Sequence, residues 1–79
     1  MRPHHNPNPY VLDTHYQAAR IMAERMAETR GRAPSLPELQ DELWRFWGPA
    51  TFHSRHYSDE AAKAGIIALR RMRKARRRR

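Results

Sequence analysis

The chain has seventy-nine residues, with sixteen Lys and Arg against eight Asp and Glu, for a formal charge of +8. A domain this small buries only about 60% of its unfolded surface, which argues against an enclosed ligand pocket or a preorganised catalytic site. The chain contains no cysteine, so disulfides and thiolate zinc sites are excluded. No apolar run nears the roughly eighteen residues of a membrane span, and with no signal-peptide stretch a cytoplasmic protein is expected.

Residues 1–9 (Met1-Arg2-Pro3-His4-His5-Asn6-Pro7-Asn8-Pro9) hold three prolines and little to bury. Proline fixes its own φ and pushes its predecessor toward extended geometry, so this segment reads as an extended arm. From Tyr10 to Arg30, Leu12, Tyr16, Ala19, Met22 or Ala23, and Met26 recur at helical spacing, predicting a helix with one apolar face. Asp13 or Thr14 is the expected cap, and Gly31 with Pro34 beyond it marks the end. Ser35-Leu36-Pro37-Glu38 reads as a capping box with proline in the first turn, opening a second helix over 35–47. Its stripe runs through Leu36, Leu39, Leu43 and Phe46 or Trp47, and Trp47-Gly48-Pro49 breaks it.

Residues 50–57 are polar and aromatic and read as a short helix with Phe52 and His56 or Tyr57 on one face. Ser58-Asp59-Glu60 reads as a further start, a capping serine followed by acids at the positive end of the helix dipole. The last helix then carries Ala61, Ala62, Gly65, Ile66, Ala68, Leu69 and Met72 on one stripe, with Ile67 off it. Asp59 and Lys63 stand at ion-pair spacing. The expected architecture is all-α: a small three- to four-helix, helix-turn-helix-like domain over 10–69 with a basic C-terminal helix or tail over 70–79.

Two short helices joined by a turn and preceded by a supporting helix is the layout of a helix-turn-helix reader, whose second helix enters the major groove. That helix starts near Ala50 and presents Thr51, His53, Ser54 and Arg55, whose side chains suit phosphates and base edges. An ordinary helical bundle with solvated loops has the same layout. Gly31-Arg32-Ala33-Pro34-Ser35, then Glu38-Leu39 and Leu43, and later Ala64-Gly65-Ile66-Ile67, resemble the winged helix-turn-helix domain of LexA-type bacterial repressors over about residues 14–67. The resemblance implies phosphate contact at the Ser35 helix start and base contact at Thr51–Arg55. It also implies a Gly-hydrophobic pair entering a two-stranded wing. Here only arginine-rich sequence follows Ile67, and a continuous last helix through Gly65 is the reading the residues favour.

Eight of the sixteen cations (Arg70, Arg71, Arg73, Lys74, Arg76, Arg77, Arg78 and Arg79) fall in the last ten residues, so the remainder sums to zero. A polyanion matches such a run best. Duplex DNA, where each phosphate contact contributes a slope of about −0.9 in log affinity against log salt, is favoured over RNA bound by an arginine-rich helix. An acidic protein surface is a third partner class.

Trp44, Phe46 and Trp47 read first as core, then as a base-stacking platform or protein-binding edge. A second copy of the chain, packed through the Ala/Gly face of the last helix, is also a candidate partner. His53 with His56 and His4 with His5 lack neighbouring acids or cysteines at ligand spacing, so no metal or cofactor is expected. Ser54, His56 and Asp59 hold a triad's residue types without an oxyanion hole or strained turn, so no catalytic residue is expected either. The function read from the sequence is a sequence-specific DNA-binding transcriptional regulator of bacterial or phage type. The alternatives are an arginine-rich RNA-binding protein and a small protein-binding modulator.

Overall fold

Helix α1 (Asp13–Arg30) opens without a side-chain cap, because Leu12 rather than Asp13 or Thr14 occupies the cap position. It closes at Gly31, whose φ of 72° is the left-handed cap that glycine adopts without a Cβ penalty. Helix α2 (Leu36–Thr51) opens on the capping box: the Glu38 amide donates to Ser35 Oγ at 3.3 Å, and the Ser35 amide donates to Glu38 Oε1 at 2.9 Å. Gly48 interrupts it with φ 45° and ψ −155°, so the regular helix ends at Trp47 and one further turn follows. Helix α3 (Arg55–Arg77) completes the fold. The structure is a computed structural model, describing residues 5–77 apart from the Arg77 side chain.

These three helices, with no strand among the described residues, make the all-α domain that the sequence predicts. Helices α1 and α3 run parallel. Leu12 donates its amide to Tyr57 Oη at 2.9 Å at one end, Gly65 meets Ala19 in the middle, and Gly31 faces Arg76 across a cleft at the other. Helices α1 and α2 each pack chiefly on α3 and only sparsely on each other. Tyr16, Ala19 and Ala23 of α1, Leu39 and Leu43 of α2, Phe52, and Ala61, Ile66 and Leu69 of α3 form the core. The small face of α3 lets α1 approach closely: a Cβ on Gly65 would lie 2.8 Å from the Ala19 carbonyl carbon. That Ala/Gly face is therefore filled by the chain's own α1 rather than left for a second copy.

The structure departs from the sequence reading in five places. The arm from His5 to Val11 turns instead of running extended. Asn8 N–H donates to Asn6 Oδ1, Tyr10 N–H to Asn8 Oδ1, and Val11 N–H to the Asn8 carbonyl, the local side-chain bonding that makes asparagine a turn residue; residues 1–4 lie outside the described residues. Leu12, expected on the buried stripe, is exposed because it stands just outside the helix. The short helix over 50–57 does not exist as a separate element: 50–51 end α2, 52–54 turn, and α3 starts at Arg55. Ser54 rather than Ser58 caps α3, accepting from the Tyr57 amide at 3.1 Å, while Ser58 is fully buried inside the first turns. Finally, the α2 stripe stops at Leu43, and Phe46 and Trp47 face outward at 70% and 45% exposure, because α1 and α2 pack only sparsely on each other.

Candidate nucleic-acid interface

Helical geometry sorts the cations of α3. At about 100° per residue, the buried positions Ala61, Ala62, Gly65, Ile66, Ala68 and Leu69 occupy one side. Lys63, Arg70 and Lys74, with Ile67 among them, then line the opposite side, and Arg71 flanks it; all five are exposed. Arg73 and Arg76 instead turn toward α1, where they share a cleft of about 280 Å³ with Glu24 and Glu28. Arg78, Arg79 and the side chain of Arg77 lie outside the described residues.

Pairing separates these cations from those of the body. Arg20 pairs with Glu24 at 2.5 Å, Arg30 and Arg32 with Glu38 at 2.8 and 3.2 Å, and Arg45 with Glu42. Arg55 bridges Asp41 and Asp59 at 2.8 Å each, and Lys63 reaches Glu60 at 3.5 Å. The expected Asp59–Lys63 pair is thus replaced by Arg55–Asp59 and Glu60–Lys63. Among the described residues, none of Arg70, Arg71, Arg73, Lys74 and Arg76 forms an ion pair with a carboxylate, and of the body cations only Arg25 does not. Surface pairs of this kind contribute little stability. Their effect is to cancel the field of the body and leave an uncompensated positive end.

No protein-family model, curated protein or solved structure matches the chain.

The residues expected to read a groove are placed differently. Thr51 ends α2 half-buried, and Ser54 Oγ is taken by the Tyr57 amide. Arg55 is held by Asp41 first and Asp59 second, hydrogen bonds that raise its pKa above the ordinary arginine value. His53 is exposed and lies against Tyr57 with ring centroids 4.8 Å apart. Ser35 is exposed at the start of α2, but its hydroxyl and amide are engaged by Glu38. Nor are residues 51–55 near the basic end. Arg55 and Lys74 are nineteen positions apart on one helix, about 28 Å at 1.5 Å per residue.

A polar cluster unpredicted from the sequence fixes the other end of α3. Tyr57 Oη accepts from the Leu12 amide and lies 2.7 Å from His15 Nδ1. His15 also meets Phe52 edge-on at 5.1 Å. The Tyr16 and Ser58 hydroxyls are buried with no hydrogen-bond partner, and burial pushes the Tyr16 phenol pKa up. Among the described residues there is no cluster of metal-ligating side chains, and no helix long and apolar enough to cross a membrane.

Proposed function

We propose that the chain is a small DNA-binding protein of the transcription-regulator type, which holds the phosphate backbone of a duplex with the outward face and C-terminal end of α3. One observation supports this above the rest: all but one of the described body cations pair with carboxylates, while Arg70, Arg71, Arg73, Lys74 and Arg76 form no ion pair among the described residues. A duplex supplies closely spaced phosphates to such a stripe, and releasing their counterions drives the association. The likeness of the Gly31–Ser35 turn to that of LexA-type repressors is consistent with a regulator role. The contact surface proposed here is nevertheless α3 and not residues 51–57, because Ser54 and Arg55 are committed to bonds within the chain. Affinity then resides in Arg70, Arg71 and Lys74, with Lys63 extending the stripe.

The test is fluorescence anisotropy of a labelled duplex titrated with the full chain across a salt series, beside the triple variant Arg70→Gln/Arg71→Gln/Lys74→Gln. These three side chains are exposed, so the variant keeps the core. Losing three phosphate contacts lowers the magnitude of the log–log salt slope by about 2.7. An unchanged slope and affinity would overturn the proposal. Structured RNA displacing the duplex at equal phosphate concentration would transfer the same surface to an RNA partner.

A further inference from the structure

Over residues 63–74 five positions of α3 are exposed. Four of them carry Lys or Arg; the fifth is Ile67, at 37% exposure. A lone apolar side chain on a surface is ordinary, but the usual reasons for an isoleucine do not hold at this one. The core is filled by its neighbours Ile66 and Ala68, each 2% exposed. Lys and Arg are better helix formers than β-branched Ile, and a further cation would strengthen the attraction for a polyanion. We infer that Ile67 is a base-reading side chain, which packs on the 5-methyl group of a thymine in the major groove of the bound duplex. This rests on duplex binding by α3 and adds the base that the helix selects.

The surroundings of Ile67 suit that role. At about 100° per residue, Arg70 stands about 60° to one side of it and Arg71 about 40° to the other, each about one turn further along the helix. Lys74 follows about two turns on, close to the line of Ile67 itself. Among the described residues these three cations form no ion pair, whereas Lys63 is held by Glu60 at 3.5 Å. Guanidinium groups without carboxylate partners therefore flank the isoleucine on both sides, as two phosphate backbones flank the floor of a groove. Helix α3 packs on α1 and α2 through its opposite side, so this side is open to a partner.

The dimensions and the chemistry select the groove and the base. A helix with its side chains is about 10–12 Å across; the major groove, about 12 Å wide, admits it, and the minor groove, about 6 Å wide, does not. Isoleucine has neither donor nor acceptor, so among the groups that distinguish base pairs in the major groove the thymine methyl is its match. The same contact separates DNA from RNA. Uracil lacks the methyl, and side chains do not read the deep, narrow major groove of an A-form helix.

The test compares an alternating A·T duplex with the same duplex carrying deoxyuridine in place of thymine, which removes the methyl and keeps the base pairing. By fluorescence anisotropy the wild-type chain should bind the thymine duplex about fourfold tighter, the effect of one buried methyl group. Ile67→Gln leaves the charge unchanged and should abolish the preference without altering the salt slope. Ile67→Val, still branched and apolar, should retain it. Equal wild-type affinity for the two duplexes, each with its full salt slope, would sink the inference and leave duplex binding by α3 standing. A preference that survives Ile67→Gln at unchanged helical circular dichroism would place the reading elsewhere and sink it too. Should Ile67→Gln fail to fold, Ile67→Ala, which shortens the side chain and favours the helix, should narrow the preference in its place; an undiminished preference there rejects Ile67 as the reader. Failure to bind either duplex removes both this role and the function proposed for α3.

Discussion

At the scale of single residues, two serines four positions apart exchange the roles that local pattern assigns them. Ser58 precedes two acids and carries the stronger helix-start signal, yet Ser54 holds the Tyr57 amide and Ser58 is buried with an unpartnered hydroxyl. Losing an N-cap hydroxyl costs about 1 kcal/mol. An unsatisfied buried hydroxyl is itself unfavourable, so its removal is close to neutral or stabilising. Urea unfolding should therefore place Ser54→Ala below wild type by about 1 kcal/mol and Ser58→Ala at or above it. The opposite order would restore the sequence reading. Nothing in the sequence separates them, because the decision lies in Phe52: its ring is fully buried, and the turn that carries it there draws the helix start back to Arg55. Charge was readable only in part for the same reason. The run from Arg70 is visible as a string of letters, whereas the pairs Arg30–Glu38 and Arg55–Asp41 join different helices and appear only once the chain has folded.

At the scale of elements, the caps were readable because each is written in adjacent residues: Gly31 after α1, the Ser35–Glu38 box before α2, Gly48-Pro49 within it. What periodicity does not carry is which flank of a helix finds a neighbour, hence the outward Phe46 and Trp47. The two buried glycines make a test of helix contacts against backbone freedom. Gly65→Ala improves helix propensity by about 1 kcal/mol but drives a methyl to within 2.8 Å of Ala19, and overpacking of that kind costs about 1–3 kcal/mol. Gly48→Ala meets nothing within 4 Å; its cost, about 1–3 kcal/mol, is purely the φ and ψ that a side chain resists. Both variants should lower the urea midpoint, and a crystal structure should show α1 and α3 moved apart in the first and unmoved in the second.

The α1–α2 junction has its own signature. Hydrogen bonds from Arg32, then from the Ser35 backbone and hydroxyl, hold the Glu38 carboxyl at a pKa of about 2, below the ordinary value. A depressed pKa contributes stability that is complete above the unfolded value, near 4.3, and lost as pH falls from there through the folded value. Thermal melts between about pH 5 and pH 2 should therefore decline less steeply in Glu38→Gln than in wild type. An equal decline in both would show that Glu38 is not the titrating group.

At the scale of the whole molecule, the parallel course of α1 and α3 acquires an electrostatic meaning. Both helices end at the same pole, and each contributes roughly half a negative charge there from its unsatisfied carbonyls. The cations Arg70, Arg71, Arg73, Lys74 and Arg76 lie toward that pole and exceed this charge severalfold, while all but one of the described body cations are paired with carboxylates. Helix α3, about 34 Å long, spans most of the 40 Å long axis of the molecule. The protein is accordingly a flattened body of 40 × 28 × 15 Å with charge at one pole, and a polyanion exerts on it a torque as well as an attraction. Such a particle arrives already turned, basic pole first. The rotational search that normally slows association is shortened before any side chain makes contact.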